Sequence, residues 1–134
     1  MVRVVAPSRL HFGLFHVPAA GDHRPGERAF GGVGLMIDTP STIVAAEPAD
    51  SWRFEGMLAS RAQAFAMRFI QALPEDQRRP FQVLVERCPP EHTGLGVGTQ
   101  LGLAVGKALS VALGETDVTS QVIAGRVGRG ERSA

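Results

Sequence analysis

The segment Gly94–Gln100 combines residue types and a spacing that could hold a phosphate, because it contains three glycines at alternate positions. Glycine adopts positive φ angles at little cost and lets the backbone approach a ligand closely. A strand-like apolar run, Phe81–Glu86, precedes this segment, and a helical pattern over Gln100–Leu113 follows it. Free N–H groups at the start of a helix attract anions, so the junction predicts a phosphate-binding loop. A tight glycine turn without a ligand is the alternative interpretation.

The predicted loop differs from two common phosphate-binding motifs. No Lys-Ser or Lys-Thr pair follows Gly98, so the loop is not a Walker-type P-loop. The preceding strands do not alternate with helices, which argues against a dinucleotide-binding Rossmann loop. The residues predicted to bind phosphate are Gly94, Leu95, Gly96, Val97, Gly98, Thr99 and Gln100.

The composition of the chain favours small anionic ligands. Lys107 is the one lysine among 14 lysine and arginine residues. Guanidinium groups match the geometry of phosphates and carboxylates, although codon usage in a GC-rich genome would give the same composition. The net charge of +1 gives no reason to expect nucleic acid or an anionic membrane as a partner. The single cysteine, Cys88, excludes an internal disulfide and a cysteine zinc cluster, and its apolar surroundings predict a buried thiol.

The four histidines are too dispersed along the chain to suggest a metal cluster. His11 alternates with Phe12 on a predicted strand and could face a cleft, although a lone histidine is commonly structural. His92 lies beside the glycine loop and could contact a phosphate.

Strand patterns dominate the first part of the chain, and helical patterns follow, which predicts one domain of the α+β class within 134 residues. The predicted strands are Val2–Ala6, Leu10–Val17, Leu35–Asp38, Thr42–Ala46, Trp52–Glu55 and Phe81–Glu86. The predicted helices are Ser60–Leu73, with Ser60 as its cap, Gln100–Leu113 and Thr119–Val127. Gly102 and Gly106 predict close packing of the second helix against the sheet.

The segment Pro90–Gly96 resembles the proline, spacer and Gly-Leu-Gly of the second motif of GHMP kinases, the superfamily of galactokinase, homoserine kinase and mevalonate kinase. That motif normally continues Ser-Ser-Ala, where this chain has Val97-Gly98-Thr99. In the kinases a serine here helps to hold magnesium and nucleotide phosphates. Val97 and Gly98 offer no side-chain oxygen, so the resemblance predicts a phosphate cradle and counts against kinase activity.

A more extensive resemblance is to the β-ribofuranosylaminobenzene 5′-phosphate synthases, a family of the same superfamily. It rests on four segments in the same order, namely Ala6–Leu14, Phe30–Leu35, Gly94–Gln100 and Gly128–Ser133. It implies a GHMP-type amino-terminal domain of the ribosomal protein S5 domain 2-like fold, with a mixed sheet packed against helices. It also implies that phosphoribosyl pyrophosphate is condensed with 4-aminobenzoate or 4-hydroxybenzoate, with release of CO2 and pyrophosphate, in tetrahydromethanopterin biosynthesis.

The resemblance implies further residues and partners. The candidate catalytic residues are Arg9, His11 and Glu131, and the candidate substrate-binding residues are Ser8, Arg9, His92, Arg129 and Arg132. Magnesium is the expected cofactor, with Glu131 as its candidate ligand and no organic cofactor. The expected partners are small-molecule substrates, without nucleic acid or membrane, and a homodimer is a possible state of the full-length protein.

The chain ends within the last resembling segment, Gly128–Ala134, so we interpret residues 1–134 as a truncated amino-terminal domain that lacks its carboxy-terminal domain and has little activity alone. Its first residues do not have the pattern of a signal peptide, which makes the cytoplasm the expected location. Two other functions stay open, an ATP-dependent GHMP small-molecule kinase and a non-catalytic interaction domain.

Overall fold

The computed structural model describes residues 1–16 and 30–129. The described residues form a four-stranded sheet in the order β1-β2-β4-β3. Its strands are β1 (Val2–His16), β2 (Phe30–Pro48), β3 (Arg53–Gly56) and β4 (Phe81–Arg87). Strands β3 and β4 are parallel and the other pairs are antiparallel. Helices α1 (Ala59–Gln71), α2 (Val97–Ala112) and α3 (Ser120–Arg126) complete the fold, so the predicted α+β class with a mixed sheet is confirmed.

The strands predicted at the amino terminus merge in pairs. Strand β1 continues through the predicted break, and its register against β2 shifts between Pro7 and Ser8. The segments predicted as Leu35–Asp38 and Thr42–Ala46 likewise form the single strand β2. Pro7 has no backbone N–H to donate to β2. The register shift after it lets the hydrogen bonding between β1 and β2 resume at Ser8, so β1 is one continuous strand.

The core lies between the sheet and helices α1 and α2. The predicted apolar face of α1 is confirmed, because its buried residues are Ala62, Phe65, Ala66, Phe69 and Ile70. The predicted face of α2 is buried as well, through Leu101, Ala104, Val105, Ala108 and Leu109. The sheet contributes Val44, Ala46, Phe81, Val83 and Val85 to the same core.

Two predicted helix starts are wrong. Helix α1 begins at Ala59, and its cap is Leu58 with a left-handed φ of 52°, so Ser60 does not cap it. Helix α2 begins at Val97 and not at Gln100, because Gly96 takes a left-handed φ of 66° and its carbonyl accepts hydrogen bonds from the first turn. The last four residues of the predicted loop are therefore helical.

Gly102 and Gly106 of α2 face other helices and not the sheet, which corrects the predicted contact. A β-carbon at Gly102 would lie 3.3 Å from the Phe65 ring of α1. A β-carbon at Gly106 would lie 2.5 Å from Ile123 Cγ2 and 3.1 Å from Val127 Cγ1. Both glycines therefore allow close approach between helices.

Alanine at Gly106 should destabilise the protein by about 1–3 kcal/mol, because the added methyl overpacks the contact with α3. Gly125→Ala is the matched control, since a β-carbon there would meet nothing within 4 Å. The control should stay within about 1 kcal/mol of the wild type and could stabilise α3. Urea unfolding measures both variants, and equal stability of the two would contradict the tight contact.

Candidate functional site: an arginine-lined cavity at the start of helix α2

The glycine loop opens into a cavity of about 270 Å³ at the start of α2. Gly94 and Gly96 adopt left-handed φ angles of 76° and 66°. The N–H groups of Thr99 and Gln100 donate to the Gly96 carbonyl at 3.1 and 3.0 Å. The first N–H groups of a helix have no acceptor within the helix, so those of Val97 and Gly98 are available to an anion in the cavity.

The structure brings most of the predicted phosphate-binding residues to this cavity. Its lining includes Gly94, Leu95, Gly96, Val97, Gly98 and Thr99. Gln100 lies one turn into α2 and lines a second cavity of about 240 Å³ near α3. His92, another predicted contact, lines the first cavity together with its neighbour Glu91.

Two guanidinium groups lie over the first turn of α2. A β-carbon on Gly98 would be 2.7 Å from Arg61 Nη2 and 2.9 Å from Arg129 Nη2. Arg61 comes from α1 and forms an ion pair with Glu91. Arg129 follows α3, and its Cζ lies 5.4 Å from the centre of the Phe65 ring, a distance at which a cation is attracted to the ring face.

Arg129 was a candidate from the sequence, whereas Arg61 was not. Arg61 and Arg68 are seven residues apart, two turns along α1, so they lie on one side of that helix. The Arg68 Nη1 atom lies 3.1 Å from the position of a β-carbon on Gly128, next to Arg129. The seven-residue spacing of Arg61 and Arg68 indicates from the sequence that they share one side of α1, but it does not show which loop that side faces.

Among the described residues, the side chains in and around this cavity carry more positive than negative charge. Burial lowers the pKa of Arg129, and the positive charges of Arg61 and Arg68 lower it further. Arginine nevertheless remains charged at neutral pH, so these three cations repel one another. The ion pair with Glu91 neutralises one of them. An anion with more than one negative charge would relieve the remaining repulsion.

Arg9 and His11 lie on β1, and neither belongs to the lining of this cavity. The Arg9 N–H donates to the Leu95 carbonyl at 3.1 Å, which joins β1 to the glycine loop. The Arg9 side chain crosses β2, where its Nε lies 2.6 Å from the position of a β-carbon on Gly34. His11 Nε2 lies 3.1 Å from the same position on Gly32. The two glycines therefore leave room for Arg9 and His11 to lie across the sheet.

Ser8, predicted to contact substrate, has a different environment. It is 2% exposed, and its Oγ donates to the Pro40 carbonyl at 2.6 Å. This hydrogen bond links β1 to β2 at the register shift, and Ser8 does not belong to the lining of the cavity. Glu131 and Arg132 lie outside the described residues.

Cys88 is buried, as predicted, and its Sγ lies 3.7 Å from Thr42 Oγ1. Burial raises the pKa of the thiol, while the Thr42 hydrogen bond and the Arg61 charge lower it. The raised pKa disfavours the thiolate, which is the nucleophilic form of cysteine.

In residues 1–16 and 30–129, no three histidine, cysteine, aspartate or glutamate residues come together as a metal site. No helix within those ranges has the length and apolar character needed to cross a membrane.

Sequence comparison finds similar synthases over nearly the whole chain, two of which follow. A β-ribofuranosylphenol 5′-phosphate synthase of Archaeoglobus fulgidus is 32% identical over 133 residues, which are 99% of this chain. A protein of the same name from Methanothermobacter thermautotrophicus is 32% identical over 139 positions, covering 95% of this chain. The chain spans 40% and 39% of the lengths of these two relatives. No protein-family model matches the chain.

Structural comparison adds the fold. A crystal structure of 4-(cytidine 5′-diphospho)-2C-methyl-D-erythritol kinase matches with a TM-score of 0.66 and covers 96% of this chain, at 21% identity. The match covers 47% of that kinase chain. The chain therefore resembles, over nearly its whole length, part of the β-ribofuranosylphenol 5′-phosphate synthases, and it shares the α+β fold of the matching part of that kinase.

Proposed function

We propose that this chain is part of a phosphoribosyltransferase-type synthase. It condenses phosphoribosyl pyrophosphate with an aromatic acid and releases CO2 and pyrophosphate, in tetrahydromethanopterin biosynthesis. The observation that carries the proposal is the convergence of Arg61 and Arg129 over Gly98, where GHMP kinases have a serine. The names of the similar synthases contain phenol, which favours 4-hydroxybenzoate over 4-aminobenzoate as the acid.

The proposed reaction balances without a redox partner. The bond between the anomeric carbon and pyrophosphate breaks, and pyrophosphate leaves with the electron pair. The ring carbon that bears the carboxylate then forms a bond to the anomeric carbon. The bond from this ring carbon to the carboxylate breaks, CO2 leaves, and its electron pair restores the aromatic ring.

The described residues have distinct roles in this proposal. Negative charge develops on the departing pyrophosphate, and preorganised donors stabilise such charge strongly in a partly enclosed site. The first N–H groups of α2, with Arg61 and Arg129, provide these donors. We propose Arg9, whose N–H contacts the loop, and His11, two residues further along β1, for the carboxylate of the aromatic acid, since a guanidinium fork suits a carboxylate.

Magnesium enters the proposal only with the phosphates. Magnesium commonly binds one or two carboxylates together with substrate phosphate oxygens and supplies charge neutralisation. Among the described residues that line the cavity, Glu91 is the carboxylate, and it already pairs with Arg61. Glu131 is the other candidate and lies outside the described residues.

The full-length synthase of which we propose this chain is a part should release labelled CO2 from carboxyl-labelled 4-hydroxybenzoate only when phosphoribosyl pyrophosphate is present. Ribose 5-phosphate added with inorganic pyrophosphate is the control, because it supplies the same groups without the activated bond. The kinase alternative draws support from the fold of the structural match. Formation of ADP from ATP with an alcohol substrate, without CO2 release, would reject the synthase and favour that kinase.

A further inference from the structure

The backbone conformation at position 98 does not require glycine. It lies in the first turn of α2 and is absent from the residues with positive φ, unlike Gly94 and Gly96. Alanine would favour the helix more than glycine does. The glycine is therefore explained by what a side chain would displace.

A side chain at position 98 would displace two cations. Its β-carbon would lie 2.7 Å from Arg61 Nη2 and 2.9 Å from Arg129 Nη2, closer than nonbonded carbon and nitrogen atoms approach. Both contacts are with the ends of flexible side chains, so the guanidinium groups would move and the helix would remain. The absence of a β-carbon lets the two arginines converge on one point of the cavity.

This convergence is electrostatically unfavourable without a ligand. Arg61 has Glu91 as its partner, while Arg129 lies against the Phe65 ring and near the charge of Arg68. Among the described residues that line the cavity, two guanidinium groups face one carboxylate, and Arg68 adds a third positive charge nearby. Two arginines that converge over a helix start can contact two phosphoryl groups at once, whereas a single phosphate offers fewer oxygens to both.

We infer that Gly98 is a positioning residue for diphosphate specificity, because it allows Arg61 and Arg129 to hold the two phosphoryl groups of one diphosphate together. The inference deepens the proposed function and rests on it for the identity of the natural ligand, the leaving group of the donor. The binding preference itself concerns inorganic pyrophosphate and is measurable without turnover.

The test measures the dissociation constants of inorganic pyrophosphate and inorganic phosphate by calorimetry. The wild type should bind pyrophosphate at least about tenfold more tightly than phosphate. Gly98→Ala should weaken pyrophosphate binding by about tenfold or more and narrow this ratio, with a ligand-free melting temperature at or above the wild-type value. Gly125→Ala, a helical glycine with open space around its β-carbon position, should change neither dissociation constant.

A double-mutant comparison separates the arginines from the loop. In a protein that carries Arg61→Gln and Arg129→Gln, pyrophosphate preference should be lost, and adding Gly98→Ala should cause little further change. Equal loss from Gly98→Ala with and without the arginines would overturn the inference, as would an unchanged ratio in Gly98→Ala. If Gly98→Ala fails to fold, the protein with both glutamine substitutions provides the test. Loss of its preference for pyrophosphate over phosphate would support the inference, and an unchanged preference would overturn it.

The two proposals can fail separately. Selective pyrophosphate binding that depends on Gly98, without CO2 release from any aromatic acid, would reject the synthase and retain the diphosphate site. Conversely, CO2 release with the same kcat/KM in Gly98→Ala and wild type would retain the synthase and reject the role of Gly98.

Discussion

In the proposed full-length synthase, methionine in place of Arg129 should lower kcat/KM for phosphoribosyl pyrophosphate by about 30- to 1000-fold, because losing one charge-assisted contact to the leaving group costs about 2–4 kcal/mol of transition-state stabilisation. The methionine keeps an apolar side chain of similar length against the Phe65 ring, which limits the effect on folding. The loss should be largest in the step that releases pyrophosphate. Single-turnover measurements of CO2 release and the melting temperature together separate the two effects.

Arg126→Met is the matched control for this prediction. Arg126 also lies over an aromatic ring, with its Cζ 5.4 Å from the centre of Phe69. Its guanidinium pairs with Glu115 and does not belong to the lining of the cavity at the loop. The control should lose stability through the broken ion pair and keep kcat/KM near the wild-type value. Similar kcat/KM values for the two methionine variants would contradict the assignment of Arg129 to the site.

Lysine at position 129 tests the geometry of the contact. It keeps the positive charge but has no planar fork of donors, so it cannot bind two phosphate oxygens in the same way. We expect Arg129→Lys to recover only part of the activity that Arg129→Met loses. Full recovery would show that charge alone is sufficient at this position.

The glycine loop was predictable because its signal is local. A strand pattern, alternate glycines and a helix pattern follow one another within one short stretch, and the structure keeps that order. The sequence pattern predicts the start of α2 three residues too late, because Val97, Gly98 and Thr99 have low intrinsic helix propensity. Tertiary structure overrides this preference, since Val97 is 5% exposed and Gly96 turns the chain into the helix.

The arginine cluster was only partly predictable because its members come from different elements. Arg61 lies on α1, far in sequence from the glycine loop, and no local pattern connects them. The space for Arg9 and His11 depends on the register of β1 against β2, which pairs Arg9 with Met36 and His11 with Gly34. Each side chain then reaches the glycine two positions beyond its partner, Gly34 for Arg9 and Gly32 for His11. The register depends on the whole length of β1 and β2 and on the shifts between them, which the hydrophobic periodicity of either strand does not reveal.

Phe69→Ala should lower the free energy of unfolding by about 3–5 kcal/mol, the usual cost of removing a buried phenyl ring. Phe69 is fully buried on α1, and its Cδ2 lies 3.5 Å from the position of a β-carbon on Gly106 of α2. The guanidinium of Arg126, the last residue of α3, lies over the same ring, 5.4 Å from its centre. The ring therefore joins three helices at one point.

The same substitution tests whether the core also holds the site together. Phe69 connects α1, which carries Arg61, to α2, which carries Gly98, so its loss should also reduce pyrophosphate affinity in the fraction that stays folded. Phe69→Leu is the matched control and should cost about 1–1.5 kcal/mol, because it keeps most of the buried apolar volume. Urea unfolding gives the stabilities, and calorimetry below the transition gives the affinity. Equal stability losses for alanine and leucine would contradict tight packing around the ring. Unchanged affinity in the folded alanine variant would instead show that the arginines keep their positions without the contact between α1 and α2.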